Sequence, residues 1–349
     1  MIKLKKKIVL LAALLCIVGV LAVLVYNSKK QPPLYSDTKI LMDTLVSQKI
    51  YADEEISGKI AGEVFKILEK KDLMFSAYNK NGEIYKINNS QTEVVEVSNE
   101  TAGLVLKAKE LSKKSDGVFD LSVYPVSNLW NNALKTETLP TDDEIKNALK
   151  YVNFENVLVD SLSSTVCIDK NMGIDLGAIA KGEALNEVVE FYKQNDISSA
   201  ICSIGSSAVA VVGEKPNGED YVIGLRDPLS INGNDVFSTL ELKDTIISTS
   251  GGYERYAELN GQKYHHIIDI KTGHPSNSDI LSASVVNDDG GFADYMSTYL
   301  YLLGYDKAKE YIEQNSLDAV IVKNDKTVYV SKGLNDKFKI TNNSFIKEK

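Results

Sequence analysis

The sequence predicts an α+β domain of mixed, largely antiparallel sheets with packed helices, preceded by one N-terminal transmembrane helix. Three observations carry that expectation. Short apolar-alternating runs and amphipathic helical runs succeed one another without regular β-α-β spacing, which is not how a doubly wound sheet is written. Neither a G-x-G-x-x-G fingerprint nor a phosphate-loop pattern is present. The long apolar run is confined to one end, before Asn27.

Composition sets the outer limits. The chain has 349 residues, 44% of them apolar and 25% charged, which suits one large domain or two intimately packed ones and excludes disorder. Six of the 39 basic residues are lysines within the first thirty positions, where there is no acid; the rest carries 33 basic against 48 acidic residues, a formal charge of −15. A body that acidic repels phosphate backbones, so nucleic acid is excluded as the main partner.

Residues 1–7 hold Lys3, Lys5, Lys6 and Lys7 and read as a cytoplasmic basic segment. Residues 8–26, Ile8 to Tyr26, are nineteen positions without a charge, enough to span a bilayer at ~1.5 Å per residue. The basic flank directs the remainder of the chain outward, so the catalytic part is expected on the extracytoplasmic side of the cell membrane. The length of the run favours an uncleaved signal anchor over a cleaved peptide. Leu15 before Cys16 argues against lipidation at that cysteine. Residues 27–39, with Pro32-Pro33, read as a tether, and residues 40–349 as the domain.

Within the domain, Ile40 to Ala52 reads as a strand. Glu54 to Phe75 carries Ile56, Ile60, Val64, Ile67 and Leu68 at helical spacing. Tyr78 to Ser90 reads as a loop, and Ser98 to Lys114 as a helix closed near Gly117. Thr141 with Glu144 three residues later is a capping box opening a short helix. Val157–Asp160 and Thr165–Asp169 suggest a hairpin, and Ala178 to Asn195 a helix. Ala200–Ile204, Ala208–Val212, Tyr221–Leu225 and Phe237–Leu242 are strand-like. Helices at Phe292–Leu303 and Lys307–Gln314 precede a hairpin of Ala319–Lys323 and Val328–Ser331. Cys167 and Cys202 lie in apolar runs and read as buried thiols, with a disulfide not excluded by their count.

Four clusters carry chemistry. All three histidines, His265, His266 and His274, fall within one stretch that also holds Asp269. Strand alternation turns one of His265 and His266 inward, where an imidazole can be tuned as a general base; a structural histidine is an equal alternative. Gly173 to Gly182 places glycines and Asp175 before a helix start that holds Lys181, a turn suited to phosphate or simply a strand–helix connection. Asp294 and Thr298 are one helical turn apart and can share Mg²⁺, a hard ion that takes oxygens; Asp294 is equally explained as a first-turn acid. Ser248 to Arg255 ends in one of only two arginines in the chain, Arg226 being the other, which suggests a bidentate contact or a purely structural one.

Taken in order, these segments resemble the FAD:protein FMN transferase family, also called the ApbE family and formerly labelled thiamine-biosynthesis lipoproteins. The likeness runs from about Leu41 to Gly304. Met42-Asp43-Thr44 looks like the family's opening M-G-T, and Phe75-Ser76-Ala77-Tyr78 like its F-S-x-Y. Asp116 to Asp120 with Pro125 and Leu129-Trp130 resembles G-A-F-D…P…L-W. Asp175 to Gly182 resembles D-L-G-G-I-A-K-G. Thr249-Ser250-Gly251, His266-Ile267-Ile268-Asp269, Thr272-Gly273 and Ala293-Asp294 with Ser297-Thr298 complete the set. Four positions depart from it: Asp43 for Gly, Ile270 for Pro, and Ser206-Ser207 for Gly-Gly.

The resemblance implies a flavin transferase fold and a Mg²⁺-dependent transfer of FMN from FAD to a Ser/Thr hydroxyl of an extracytoplasmic acceptor flavoprotein, in the maturation of an electron-transfer chain. It implies FAD contacts at Met42, Tyr78, Val118, Phe119, Asp120, Asp175, Lys181 and Ile268. It implies a metal held by Asp294, Thr298 and the Ala178 carbonyl with Ser297 nearby, and His266 as base. An FAD pyrophosphatase would use the same residues with water as attacker. A non-catalytic flavin-binding surface protein could dispense with His266 or the metal set, and an adhesion ectodomain would need none of the motifs.

Overall fold

The strands of the principal sheet lie side by side in chain order, which makes it a meander with long excursions. They are β1 (Leu34–Leu41), β2 (Thr44–Tyr51), β3 (Ser199–Ile204), β4 (Ala208–Gly213), β5 (Thr245–Gly251), β6 (Ile280–Asn287), β7 (Asp318–Lys323), β8 (Thr327–Val330) and β9 (Ile346–Lys347). Every neighbouring pair is antiparallel except β8 with β9. The computed structural model describes residues 31–90, 92, 94–231, 233, 235–259 and 261–348. The basic segment 1–7, the apolar run 8–26 and the first four tether residues lie outside them. No helix among the described residues is long and apolar enough to cross a membrane.

Six helices fill the excursion between β2 and β3: α1 (Glu54–Phe75), α2 (Glu83–Asn89), α3 (Asn99–Lys114), α4 (Tyr124–Thr136), α5 (Asp142–Leu149) and α6 (Ala180–Gln194). Two more, α7 (Gly290–Leu303) and α8 (Tyr305–Asn315), stand between β6 and β7. The local sequence explains their ends. The Asp53 carboxylate caps α1 by accepting the Glu55 N–H. The Thr141–Glu144 capping box at α5 is formed in both directions.

Both faces of the sheet are covered, and residue alternation divides its apolar side chains between them. Ala210 and Val212 of β4 pack with α1 and α6, while Val211 packs with the small sheet of residues 221–226, 236–242 and 338–340. Ala319 and Ile321 of β7 join the core around α3, α7 and α8, while Val320 and Val322 face the small sheet. A strand covered on both sides reads as a continuous apolar run, as in Ala208–Val212 and Ala319–Val322.

The expected α+β architecture with antiparallel sheets is what forms, with three local corrections. The segment read as one strand, Ile40 to Ala52, is the hairpin β1–β2; β1 begins at Leu34, so part of the stretch read as a tether is sheet. Its two-residue turn, Met42-Asp43, has both φ values positive (53° and 57°), the requirement of a type I′ turn, but carries neither Gly nor Asn to announce it. Residues 83–89, read as loop, form α2, too short for periodicity to register; Ile84 and Ile87 bury its inner face. Finally, β5, β6 and α4 are elements the sequence did not predict, and the strand expected to run through His265 and His266 ends at His265, in a hairpin of residues 256–265, so alternation does not separate the two.

Candidate active site

The excursions from the sheet converge on one cleft with a cavity volume of about 420 Å³. The β1–β2 turn brings Met42 and Asp43, and the end of α1 brings Phe75 to Tyr78. The loop after α3 brings Val118, Phe119 and Asp120. The turn into α6 brings Asp175, Ala178 and Lys181. The hairpin between β5 and β6 brings His265, His266 and Ile268, and α7 brings Asp294 and Thr298. Every site residue expected from the sequence lines this cleft except Ser297, which is fully buried behind it. The Ser297 hydroxyl donates to the Asp294 carbonyl at 2.8 Å and shares a 2.7 Å bond with Ser250.

The aromatic side of the cleft is preformed. The Tyr78 ring lies 5.9 Å from that of Tyr124, and the Lys135 ammonium sits 5.8 Å from its centroid. Phe119 is buried edge-on against Tyr295 at 5.1 Å. Two of the expected ligand contacts already have protein partners. The Asp120 carboxylate accepts from the Ser122 N–H and hydroxyl and from the Phe154 N–H, so it braces its own loop. Burial raises its pKa and those donors oppose the rise. The Asp175 carboxylate accepts from the Gly177 N–H at 2.9 Å and the Ser127 hydroxyl at 2.8 Å, which shapes the turn into α6.

The start of α6 is capped from another helix. Gly182 stands in the first turn, where backbone N–H groups have no partner within the helix, and its N–H donates to Asp294 Oδ2 at 3.1 Å. Among the described residues no backbone N–H donates to the Ala178 carbonyl. The contact needs glycine: a Cβ at position 182 would stand 1.9 Å from the Gly290 carbonyl oxygen and 2.9 Å from Asp294 Cβ. Asp294 is buried, and its Oδ1 lies 3.8 Å from Lys181 Nζ. The Thr298 hydroxyl is 2.9 Å from Ser250 Oγ. A carboxylate, a hydroxyl and a carbonyl that accepts no backbone N–H therefore belong to residues lining one cleft. This all-oxygen set fits a hard divalent cation.

The two adjacent histidines differ in what their nitrogens do. His265 Nε2 lies 2.9 Å from the Ser276 carbonyl, which can only accept, so Nε2 carries the proton; Nδ1 then accepts from the Ile267 N–H at 3.2 Å. Both of its nitrogens are committed. His266 Nδ1 lies 3.1 Å from the Arg255 carbonyl and by the same logic donates to it, leaving Nε2 with its lone pair and no partner among the described residues. Burial lowers the His266 pKa, and the charges of Arg255 and Lys181 add to the fall while the Arg255 carbonyl opposes it. Protein crowds the ring, yet the residue stays exposed along the cleft. Water along the cleft moderates that desolvation, and the lowered pKa leaves the imidazole neutral at pH 7.

Several cleft residues carry roles that the sequence did not assign them. Glu254 lines it; burial raises its pKa against the pull of Arg226, Lys181 and Arg255. Ser250 bridges to Thr298, Ser127 holds Asp175, and Asp72 faces Asp43. The available signal for Glu254 was its place beside Arg255. Asp43 stands where the resemblance expects glycine, and its positive φ gives the reason: the turn wants a left-handed residue, which Asp tolerates better than most.

Comparisons with known proteins agree with this geometry. The family model described as "ApbE family" matches residues 42–321. A FAD:protein FMN transferase of Klebsiella pneumoniae is 27% identical over 300 residues, covering 85% of this chain and 92% of that protein. One of Treponema pallidum is 27% identical over 332 residues, covering 90% and 91%. The crystal structure of an ApbE protein from Thermotoga maritima superposes with a TM-score of 0.79 at 29% identity, covering 86% of this chain and 98% of the other. The cleft and five central strands of the sheet, β2 to β6, fall inside the matched span, and this chain belongs to the ApbE family of flavin transferases.

Proposed function

We propose that this enzyme moves FMN from FAD onto a Ser or Thr hydroxyl of an extracytoplasmic acceptor flavoprotein and releases AMP. The observation that carries the reading is a neutral histidine whose free Nε2 faces the same cleft as Lys181 and the Asp294 carboxylate. Tyr78, Phe119, Met42, Val118 and Ile268 supply an apolar and aromatic surface for the flavin and adenine ends. A hydroxyl is a poor nucleophile until a base takes its proton. His266 Nε2 accepts that proton as the acceptor oxygen bonds to the FMN phosphorus and the phosphoanhydride bond breaks toward AMP. Lys181 offsets negative charge on the leaving phosphate. Asp294, Thr298 and the Ala178 carbonyl would hold Mg²⁺, which when bound supplies Lewis-acid stabilisation of the pyrophosphate oxygens. Ser297, behind the cleft, links the Asp294 backbone carbonyl to Ser250. The lysine cluster and the uncharged run Ile8–Tyr26 support a domain anchored at the outer face of the membrane.

The test is to incubate the enzyme with FAD, Mg²⁺ and a candidate acceptor, then read the acceptor by mass spectrometry and AMP by chromatography. Acceptor carrying one FMN per AMP released is the expected result. Free FMN and AMP with an unmodified acceptor would replace the transferase reading by a pyrophosphatase, and an absence of flavin binding would remove both.

A further inference from the structure

We propose that Lys107 is a positioning residue for the metal site, holding α6 and α7 in the one register that brings their oxygens together. The inference rests on the metal assignment above. That oxygen set is split between two elements: Ala178 leads into α6, while Asp294 and Thr298 stand on α7. The two helices meet backbone to backbone at glycines. A Cβ at Gly182 would collide with the Gly290 carbonyl, and one at Gly290 would stand 2.4 Å from the Gly182 oxygen. The two glycines allow close approach but themselves supply no side chain to fix how far one helix slides along the other.

A polar cluster beside the crossing does that instead. Lys107 reaches in from α3 and donates to Glu183 Oε2 at 2.8 Å and to Asp289 Oδ1 at 2.9 Å. Glu183 adjoins Gly182, whose N–H holds Asp294. Asp289 caps α7 by accepting the Phe292 N–H at 3.2 Å. Asn186 ties the same groups: its amide donates to Glu183 at 3.2 Å and Asp289 at 3.0 Å, and its carbonyl accepts the Gly290 N–H at 2.7 Å. Lys107 is the cation between two carboxylates, one on each helix. Without it they repel across the crossing, which loads the Asn186 ties and the Gly182–Asp294 bond and moves Asp294 relative to the Ala178 carbonyl.

The experiment uses Lys107→Met and Lys107→Arg in the otherwise intact protein. Mn²⁺ binding is read by electron paramagnetic resonance with FAD present, and FAD binding without metal by flavin fluorescence. For Lys107→Met we expect up to about a 10-fold loss of ion affinity, the low end of the scale for groups bonded directly to metal ligands, because Lys107 acts through Glu183 and Gly182. FAD affinity should hold, and Lys107→Arg should recover most of the ion affinity. Unchanged ion affinity in folded Lys107→Met overturns the proposal, as does a parallel loss of ion and FAD affinity that tracks the fall in melting temperature. If Lys107→Met does not fold, Lys107→Gln is read by the same criteria. A wild-type protein that binds no Mn²⁺, or an Asp294→Ala variant that binds it as well as wild type, sinks the metal assignment itself.

Discussion

Replacing His266 by alanine should separate binding from chemistry in this protein. His266 Nδ1 is spent on the Arg255 carbonyl, so the substitution removes one unengaged acceptor, Nε2, and leaves the aromatic and apolar flavin surface untouched. Loss of a general base lowers transfer by roughly 10²–10⁴-fold. At ~1.36 kcal/mol per decade that is about 3–5 kcal/mol of barrier, with little change in FAD affinity. The wild-type rate should rise with pH as the imidazole loses its proton. Because burial and neighbouring cations lower the His266 pKa, the rise should be complete before neutrality rather than centred on the ordinary histidine value. His265→Ala should behave differently. It strands the Ile267 N–H and the Ser276 carbonyl, so its main effect is ~1–3 kcal/mol of stability and only a smaller part of the rate. Single-turnover transfer monitored by acceptor mass spectrometry, with FAD affinity and melting temperature measured alongside, reads all of these. Near wild-type transfer by His266→Ala, or a loss of FAD affinity as large as the loss of rate, would refute the reasoning.

Asp294→Ala should abolish Mg²⁺-dependent transfer while flavin fluorescence quenching by the Tyr78–Phe119 surface persists; an unaltered Mg²⁺ titration would count against the ligand role. Gly182→Ala forces a Cβ into the Gly290 carbonyl and should cost roughly 2–3 kcal/mol as overpacking. At ~2–4 °C per kcal/mol that lowers the melting temperature by about 4–12 °C, and calorimetry showing no shift would mean the helices separate freely. Asp43→Gly places a residue indifferent to positive φ in the turn, so stability should change by less than ~1 kcal/mol in a denaturant titration. The same change removes a negative neighbour of Asp72, whose pKa burial and Asp43 together raise; its carboxyl should then titrate at lower pH by NMR.

The elements legible in the sequence were those with strong local signals. The amphipathic period of Glu54–Phe75 and the capping box at Thr141 gave helices with nearly the observed bounds. The β1–β2 turn was hidden because its positive-φ positions carry Met42 and Asp43 in place of the usual turn residues. Strand β6, the apolar partner of β5 and β7, was missed beside the more conspicuous helix α7 just after it.

For the site, the sequence alone determined which residue types are available and in what order: one histidine three before Asp269, Asp294 a turn before Thr298, glycines ahead of Lys181. Those are local facts that spacing preserves. It could not decide which histidine has a free nitrogen, because that depends on carbonyls of Arg255 and Ser276 delivered by other segments. Nor could it show that Asp120 and Asp175 are already engaged, or that Ser297 lies behind the cleft. The capping of α6 by α7 is the sharpest case: α7 approaches closely enough for Asp294 to take the otherwise unpartnered Gly182 N–H, a contact between residues 112 positions apart. The amino-acid order supplies each donor and acceptor, but only tertiary packing decides which of them meet and which are left for a ligand.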